Sequence, residues 1–211
     1  MKKQQSGFTL VEVAIVLVII GLLLGGVLKG QELINSAKSK AIVNDFRNTA
    51  TMIAAYQDRF RALPGDDPSA DKHLQNTIAA ENGDGDGLIE GNWNSTTTTD
   101  ESSKIWAHLR RANLASGDGT LTGDWQPRNS EGGRIGVQSA APASNMNGRV
   151  FVCQGNISGR VAQQADTTMD DGNPATGSVR FGTMSGSTLT AASTASGPVA
   201  DSDLFTACAS F

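Results

Sequence analysis

The sequence predicts an α+β fold, in which one long N-terminal helix packs on a small antiparallel-sheet head. The first observation is an almost uninterrupted apolar run from Phe8 to Leu28. The second is a helical spacing of apolar residues that continues from this run to about Arg61. The third is a change of composition after Leu63, where Gly, Ser, Thr, Asn and Asp dominate and short apolar segments of strand length appear.

The apolar run has the length of a transmembrane helix, because about 20 residues at 1.5 Å each span a hydrocarbon core of roughly 30 Å. A secretory signal peptide has a shorter apolar region and a small-residue cleavage site, which residues 25–30 do not form. An ordinary single-pass anchor explains the length and, through Lys2 and Lys3, the orientation. It does not explain Glu12, since a carboxylate in lipid costs on the order of a few kcal/mol and is by default functional.

The junction between the polar start and the apolar run resembles the processing site of type IV prepilins and type II secretion pseudopilins. Residues 1–12 read Met-Lys-Lys-Gln-Gln-Ser-Gly and then Phe-Thr-Leu-Val-Glu. The resemblance implies that residues 1–7 are a leader peptide, which a membrane-bound prepilin peptidase removes by cutting between Gly7 and Phe8. It also implies that the same enzyme methylates the new amino terminus of Phe8, and that Glu12 is the glutamate of the family.

A function for Glu12 follows from this processing. In lipid, Glu12 of one subunit can pair with the Phe8 amine of the next only when the two helices have the correct axial register. The pair can therefore set the stagger of a filament, and losing one partner of a buried ion pair costs about 3–5 kcal/mol. The alternative is that Glu12 stays protonated and has no structural role.

The helix is expected to have two parts, a transmembrane and filament-core part over residues 8–29 and an amphipathic part over residues 30–62. Proline and glycine at residues 63–68 end it. Many members of the family carry a helix-breaking proline in the membrane part and melt there in the filament. This chain has none, which leaves melting open and makes Gly25-Gly26 the candidate position. The apolar stripe of the second part consists of Ile34, Ile42, Phe46, Ile53, Tyr56 and Phe60.

Residues 63–211 are expected to form the globular head. We predict helices at 100–114 and 159–169, and strands at 134–138, 149–153 and 179–181. In the first of these helices Ile105, Trp106, Leu109, Ala112 and Leu114 give the buried face, His108 lies on the polar side, and His73 lies in a loop. This order of elements fits the α+β roll of pilins, and the order of the strands is not predicted.

Cys153 and Cys208 are the two cysteines of the chain. The exported head that the resemblance implies lies in an oxidising space, where an isolated pair is usually a disulfide. The pair also resembles the pilin arrangement in which a C-terminal disulfide holds a surface loop, here the polar segment 183–203. Closing about 56 residues stabilises a fold by roughly 4 kcal/mol. The alternatives are buried free thiols and a metal site of two Cys and two His.

One glycine-rich loop is a candidate calcium site. Asn82, Asp84 and Asp86 match positions one, three and five of an EF-hand loop, and the glycine and apolar positions that follow also match. The pattern then fails, because Trp93 stands where the bidentate glutamate belongs, although Glu90 can supply an oxygen through water. Related secretion pseudopilins bind calcium at a different kind of loop. The alternative is a glycine-rich turn, and residues 64–67 and 170–174 are also interpreted as turns.

The sequence favours a structural role over catalysis. No carboxylate is paired with a nucleophile or base at a diagnostic spacing, and there is no nucleotide-binding loop, so we expect no enzyme and no required cofactor. The formal net charge of −4 and the pI near 5.1 argue against nucleic acid as a partner.

The resemblance implies a subunit of a type IV pilus-like filament, held in the bacterial inner membrane before assembly. Afterwards the filament would be at the cell surface or in the periplasm. Its partners would be the prepilin peptidase, the inner-membrane assembly machinery, and further copies of itself or other pilins. The cysteine pair, the large head and the Ser/Thr-rich tail favour a pilin over the first alternative, a pseudopilin of a type II secretion system. A second alternative is a monomeric, membrane-anchored binding protein.

Overall fold

The computed structural model describes residues 9–192, 199–200 and 202–211. The chain divides into two compact units, Met1–Ala37 and Lys38–Phe211. A single helix, α1, runs from Leu10 to Phe60 and contributes to both units. It confirms the predicted long N-terminal helix, and it is continuous through the glycines of its apolar part. Melting at Gly25-Gly26 concerns the filament and stays a prediction.

In the first unit, every described residue from Thr9 to Lys29 is exposed. Among the described residues, α1 is long and apolar enough to cross a membrane. Ile34, which we placed on the stripe that faces the head, lies in this unit and is 57% exposed, so this assignment is wrong. The buried apolar stripe of α1 begins at Ile42, about two turns later.

In the second unit, the rest of α1 packs into the hydrophobic core of the head. Ile42, Phe46 and Tyr56 are completely buried, as the helical spacing predicted, and Phe60 is half-buried. Arg61 ends the helix in the left-handed region, with φ of 58°, and its N–H donates to the carbonyl of Gln57. The following Pro64 prevents the helix from continuing.

Within its described residues, the head contains three further α-helices, one 3₁₀ turn and five strands. The helices are α2 (Ala70–His73), α3 (Glu101–Arg111) and α4 (Gly159–Met169), with the 3₁₀ turn at Ala79–Glu81. The strands are β1 (Ile135–Gln138), β2 (Phe151–Ser158), β3 (Val179–Ser185), β4 (Thr188–Ala191) and β5 (Leu204–Ser210). All pair antiparallel in the order β1-β2-β5-β3-β4. The predicted α+β class is confirmed, and α4 has the bounds that we predicted.

Several parts of the head differ from the prediction. β2 extends five residues beyond Cys153, β5 was not predicted at all, and α3 ends at Arg111 rather than Leu114. Residues 183–191, expected to be loop, form the end of β3 and all of β4 around the turn Gly186-Ser187. His73 ends a short helix rather than lying in a loop.

The disulfide between Cys153 and Cys208 is present, and it joins two central strands. The two residues face each other across β2 and β5, with their Cα atoms 4.1 Å apart. Both are completely buried, in a small cluster with Trp93, Met146 and Phe151. The chain between the cysteines includes α4, β3 and β4, so the expected picture of a disulfide holding a surface loop is wrong.

Replacing both cysteines with alanine should lower the free energy of unfolding of the head by about 2–5 kcal/mol, because the unfolded chain loses a long closed loop. Urea unfolding of the full chain in detergent, followed by near-UV circular dichroism, measures this change. Reductant should move the wild-type midpoint towards that of the variant and leave the variant unchanged. Equal midpoints for oxidised wild type and variant would contradict a stabilising role.

Candidate functional sites

The predicted processing site lies at the edge of the described chain. Gly7 and Phe8 are outside the described residues, so the cleavage and methylation assignments stay predictions. The described chain begins at Thr9, and α1 begins at the next residue.

Glu12 closes a capping box at the start of α1. Its Oε2 accepts hydrogen bonds from the backbone N–H of Thr9 at 2.8 Å and from the Thr9 hydroxyl at 2.7 Å. In return, the Thr9 hydroxyl oxygen accepts from the N–H of Glu12 at 3.3 Å. This reciprocal arrangement satisfies two of the N–H groups that the first turn of a helix leaves without intrahelical partners.

The capping box shows a role for Thr9 that the sequence reasoning missed, although Thr-x-x-Glu before an apolar run is a recognised signal. A negative charge in the first turn also interacts favourably with the helix dipole. The box would survive cleavage after Gly7, because the N–H of Thr9 belongs to the Phe8–Thr9 peptide bond. The structure therefore gives Glu12 a role within its own helix, whether or not a neighbouring amine also binds it.

In the head, the candidate calcium loop brings together only part of the predicted ligand set. One oxygen from each of Asp84, Glu90 and Glu101 lies within 4.8 Å of the others, and the same holds for Asp66, Asp84 and Asp86. The side chain of Asn82 donates to the carbonyl of Pro68 and to the carboxylate of Asp71, and it accepts from the N–H of Asp71. Asn82 thereby fixes α2 to the loop, and its role as a calcium ligand stays a prediction.

Asp66 and Glu101 are the buried members of this loop cluster, and both are bound by backbone N–H groups. Asp66 accepts from Gly85 at 2.6 Å and from Gly87 at 2.8 Å. Glu101 accepts from Asp84 at 3.1 Å and from Glu90 at 3.3 Å. The two carboxylates therefore hold the glycine-rich loop against the turn before α2 and the start of α3.

This close packing requires glycine at position 83, where a Cβ would lie 2.3 Å from the Cα of Asp66. It also concentrates negative charge. Burial raises the pKa of Glu101 to about 7 and raises that of Asp66, and the charge of Asp84 raises the pKa of Glu90. The buried carboxylates of Asp66 and Glu101 already accept hydrogen bonds from backbone N–H groups. These hydrogen bonds stabilise the loop as a turn. Calcium binding by Asp84, Asp86 and Glu90 stays a prediction.

A second group of polar residues beside this loop is structural. His108, expected on the polar side of α3, is completely buried, so that assignment is wrong. Its Nδ1 accepts from the N–H of Gly65 at 2.9 Å, and its Nε2 lies 3.0 Å from the carbonyl oxygen of Glu81. These partners require a neutral ring protonated at Nε2, and burial lowers the pKa of His108 to about 4.

Next to His108, the carboxylate of Asp67 joins α1 to α2. It accepts from the hydroxyl of Tyr56 at 2.8 Å and lies 2.9 Å from Nδ1 of His73. Burial acts to raise the pKa of Asp67, but hydrogen bonds from His73, Ser69 and Tyr56 outweigh it and leave the pKa lowered. These three hydrogen bonds compensate for the removal of the Asp67 carboxylate from water, which explains its burial.

Comparison with known families gives one match. Residues 2–28 match the prokaryotic N-terminal methylation motif, which is the signal of type IV pilins and pseudopilins. The match spans the predicted leader, the Gly7–Phe8 junction, Glu12 and the apolar run, and it does not extend into the head. No curated protein and no solved structure gave a significant match to the chain.

His108 should make the head less stable in acid. The unfolded histidine takes up a proton below its ordinary pKa of 6.5, whereas the folded one resists protonation down to about 4. The stability due to the neutral ring is therefore complete above pH 6.5, and about 3 kcal/mol of it is lost as the pH falls to 4.

The comparison variant is His108→Gln, which keeps one acceptor and one donor but does not titrate. Urea unfolding of both proteins between pH 7 and pH 4 isolates the contribution of His108, because other groups titrate in both. The gap in unfolding free energy should shrink or reverse in acid. A constant gap would show that His108 is not buried as a neutral ring.

Proposed function

We propose that this chain is the structural subunit of a type IV pilus-like filament, processed by prepilin peptidase and polymerised through the first part of α1. The methylation motif supports a prepilin-type substrate of that peptidase. The motif and the apolar helix also fit anchoring in a membrane before assembly. The exposed apolar surface of α1 supports the further inference that the chain assembles into a filament.

The observation that carries this proposal is the exposure of every large apolar side chain from Leu10 to Leu28. Burying one such side chain contributes about 1.5–3 kcal/mol, so a helix of this length is strongly driven out of water. Lipid satisfies this requirement before assembly. After extraction from lipid, the same surface needs other apolar helices, which further copies of the chain or other pilins would supply.

Glu12 supplies the specificity that apolar packing lacks. The Thr9 groups bond to Oε2 of Glu12, and Glu12 is exposed within the described part of the chain. We infer that it also binds the Phe8 amine of a neighbouring subunit, which fixes the axial register. The assembled filament would be at the cell surface or in the periplasm, with the inner-membrane assembly machinery as a further partner.

A pseudopilin of a type II secretion system is the second candidate, because the methylation motif marks both classes. Shearing of cells distinguishes a filament subunit from a monomeric anchored protein, because the monomer would stay with the membranes. Filaments released by shearing support a pilus. A gene deletion that stops protein secretion but leaves surface fibres intact supports the secretion system.

Gly7→Asp should block processing. A side chain at this position is expected to prevent cleavage by the peptidase, so the chain would keep its two leader lysines and lack the methyl group. Intact mass and N-terminal sequencing of membrane-extracted protein measure this, with Ser6→Ala as a control that should be cut normally. A wild-type protein that does not begin at Phe8 would contradict the assigned cleavage site.

Glu12→Gln should separate the two roles of Glu12. Glutamine preserves the capping box but has no charge to pair with an amine. If the charge sets the register, both Glu12→Gln and Glu12→Val should lower the yield of sheared filaments by about tenfold or more, since the lost pair is worth a few kcal/mol. Cleavage and membrane insertion should be normal in both variants.

If capping is the main role, the Gln variant should assemble like wild type and only the Val variant should be impaired. Quantitative immunoblots of sheared and membrane fractions distinguish these results. Normal filament yield from Glu12→Gln would therefore contradict the proposed contact with Phe8.

A further inference from the structure

A separate group of carboxylates lies at the C-terminal end of α4, far along the sequence from the glycine-rich loop. One oxygen from each of Asp166, Asp170 and Asp171 lies within 4.8 Å of the other two. Calcium binds oxygens at 2.3–2.6 Å, so two ligands on opposite sides of the ion are up to about 5 Å apart. The three oxygens are thus close enough to contact one ion.

Asp166 is the unusual member of this group. It lies on the buried face of α4 with Val161, Ala162 and Ala165, and it is completely buried. Neither of its carboxylate oxygens has a hydrogen-bond partner among the residues that the structure describes. A buried carboxylate normally accepts several hydrogen bonds or pairs with a cation, because removing it from water is costly.

The surroundings add negative charge instead of compensating for it. The last turn of α4 contains no basic residue, and the C-terminal end of a helix carries the negative end of its dipole. Arg180 is the cation that influences Asp171, but its guanidinium donates to the carbonyls of Gly177, Ser144 and Asn145.

The other two carboxylates are held in place by the loop that joins α4 to β3. Oδ2 of Asp170 accepts from the N–H groups of Ser178 and Val179, the latter at 3.0 Å. Asp171 accepts from the N–H of Asn173 at 2.8 Å and from the hydroxyl of Thr176 at 2.6 Å. Asp166 faces this ordered pair from the helix side, so all three are positioned before any ion arrives.

We propose that Asp166, Asp170 and Asp171 bind a hard divalent cation, and that calcium is the ion of choice. Three carboxylates and no nitrogen or sulfur donor suit calcium rather than zinc or copper. Water would complete the coordination. The ion would neutralise the end of α4 and give the buried carboxylate of Asp166 the partner that it lacks.

This proposal changes the prediction for residues 170–174, which we interpreted as a simple turn. It is independent of the proposed filament function and of the candidate calcium loop at residues 82–90. The two acidic groups differ in one respect: the buried carboxylates of the loop cluster have backbone N–H partners, whereas Asp166 has none within the described parts of the chain. This difference makes the end of α4 the stronger site.

The test uses the full chain with its disulfide intact, in detergent, titrated with calcium chloride. Equilibrium dialysis gives the number of ions bound and their affinity, and thermal melting gives the stabilisation by calcium. Asp166→Asn keeps the size of the side chain, and Asp171→Asn changes an exposed residue with little risk to folding. Each should weaken binding of one ion by about tenfold or more, since even outer-shell changes at metal sites cost 10–100-fold.

The double variant Asp84→Asn/Asp86→Asn is the matched control, and it should keep the ion at α4. With a chelator present, Asp166→Asn should melt at or above the wild-type temperature, because it removes a buried unpaired charge. With calcium present, the order should reverse. A purely structural role for Asp166 would lower the melting temperature in both conditions.

Three results would overturn the proposal. The first is a wild-type protein that binds no calcium at about 1 mM, the weak end of the affinities of extracellular calcium modules. The second is unchanged binding in both Asp166→Asn and Asp171→Asn. The third is loss of all binding in the Asp84→Asn/Asp86→Asn control, which would place the ion in the glycine-rich loop.

Discussion

Helix α1 must satisfy two different surroundings with one continuous backbone. From Leu10 to Leu28 its large apolar side chains are exposed on all sides, whereas from Ile42 onward a single apolar stripe is buried in the head. Each requirement is ordinary alone, since lipid accepts an all-round apolar helix and a protein core accepts an amphipathic one. The head buries the stripe from Ile42 onward, whereas the apolar side chains from Leu10 to Leu28 need another apolar environment. This apolar surface therefore determines where the chain can reside and what can cover it.

The strong periodic signals in the sequence predicted their elements well. α1 and α4 were predicted because a 3.6-residue apolar spacing continues over several turns and is bounded by residues that end helices. β5 was not predicted, for a different reason. β5 contains Ala207, Cys208 and Ala209, whose small side chains are buried on both faces of the sheet, so no alternation of apolar and polar residues marks it as a strand.

The candidate sites show the same division between local and long-range information. The Thr9–Glu12 capping box is local, and the Thr-x-x-Glu spacing in the sequence is sufficient to predict it. The contributions of Asp66 and Glu101 to the glycine-rich loop depend on tertiary contacts between distant segments. No spacing rule predicts such contacts. His108 was misplaced for a related reason, because a histidine with two backbone partners can be buried where its residue type suggests exposure.

The position of β5 in the sheet has a consequence for biogenesis. β5 lies between β2 and β3, and it is the latest of the five strands in sequence. On a ribosome or in a translocation channel, the earlier strands emerge with two open edges that only β5 can join. Until then these edges are exposed to pairing with other chains. A chain that ends before Leu204 would therefore leave the inner edges of β2 and β3 unpaired and open to pairing with other chains.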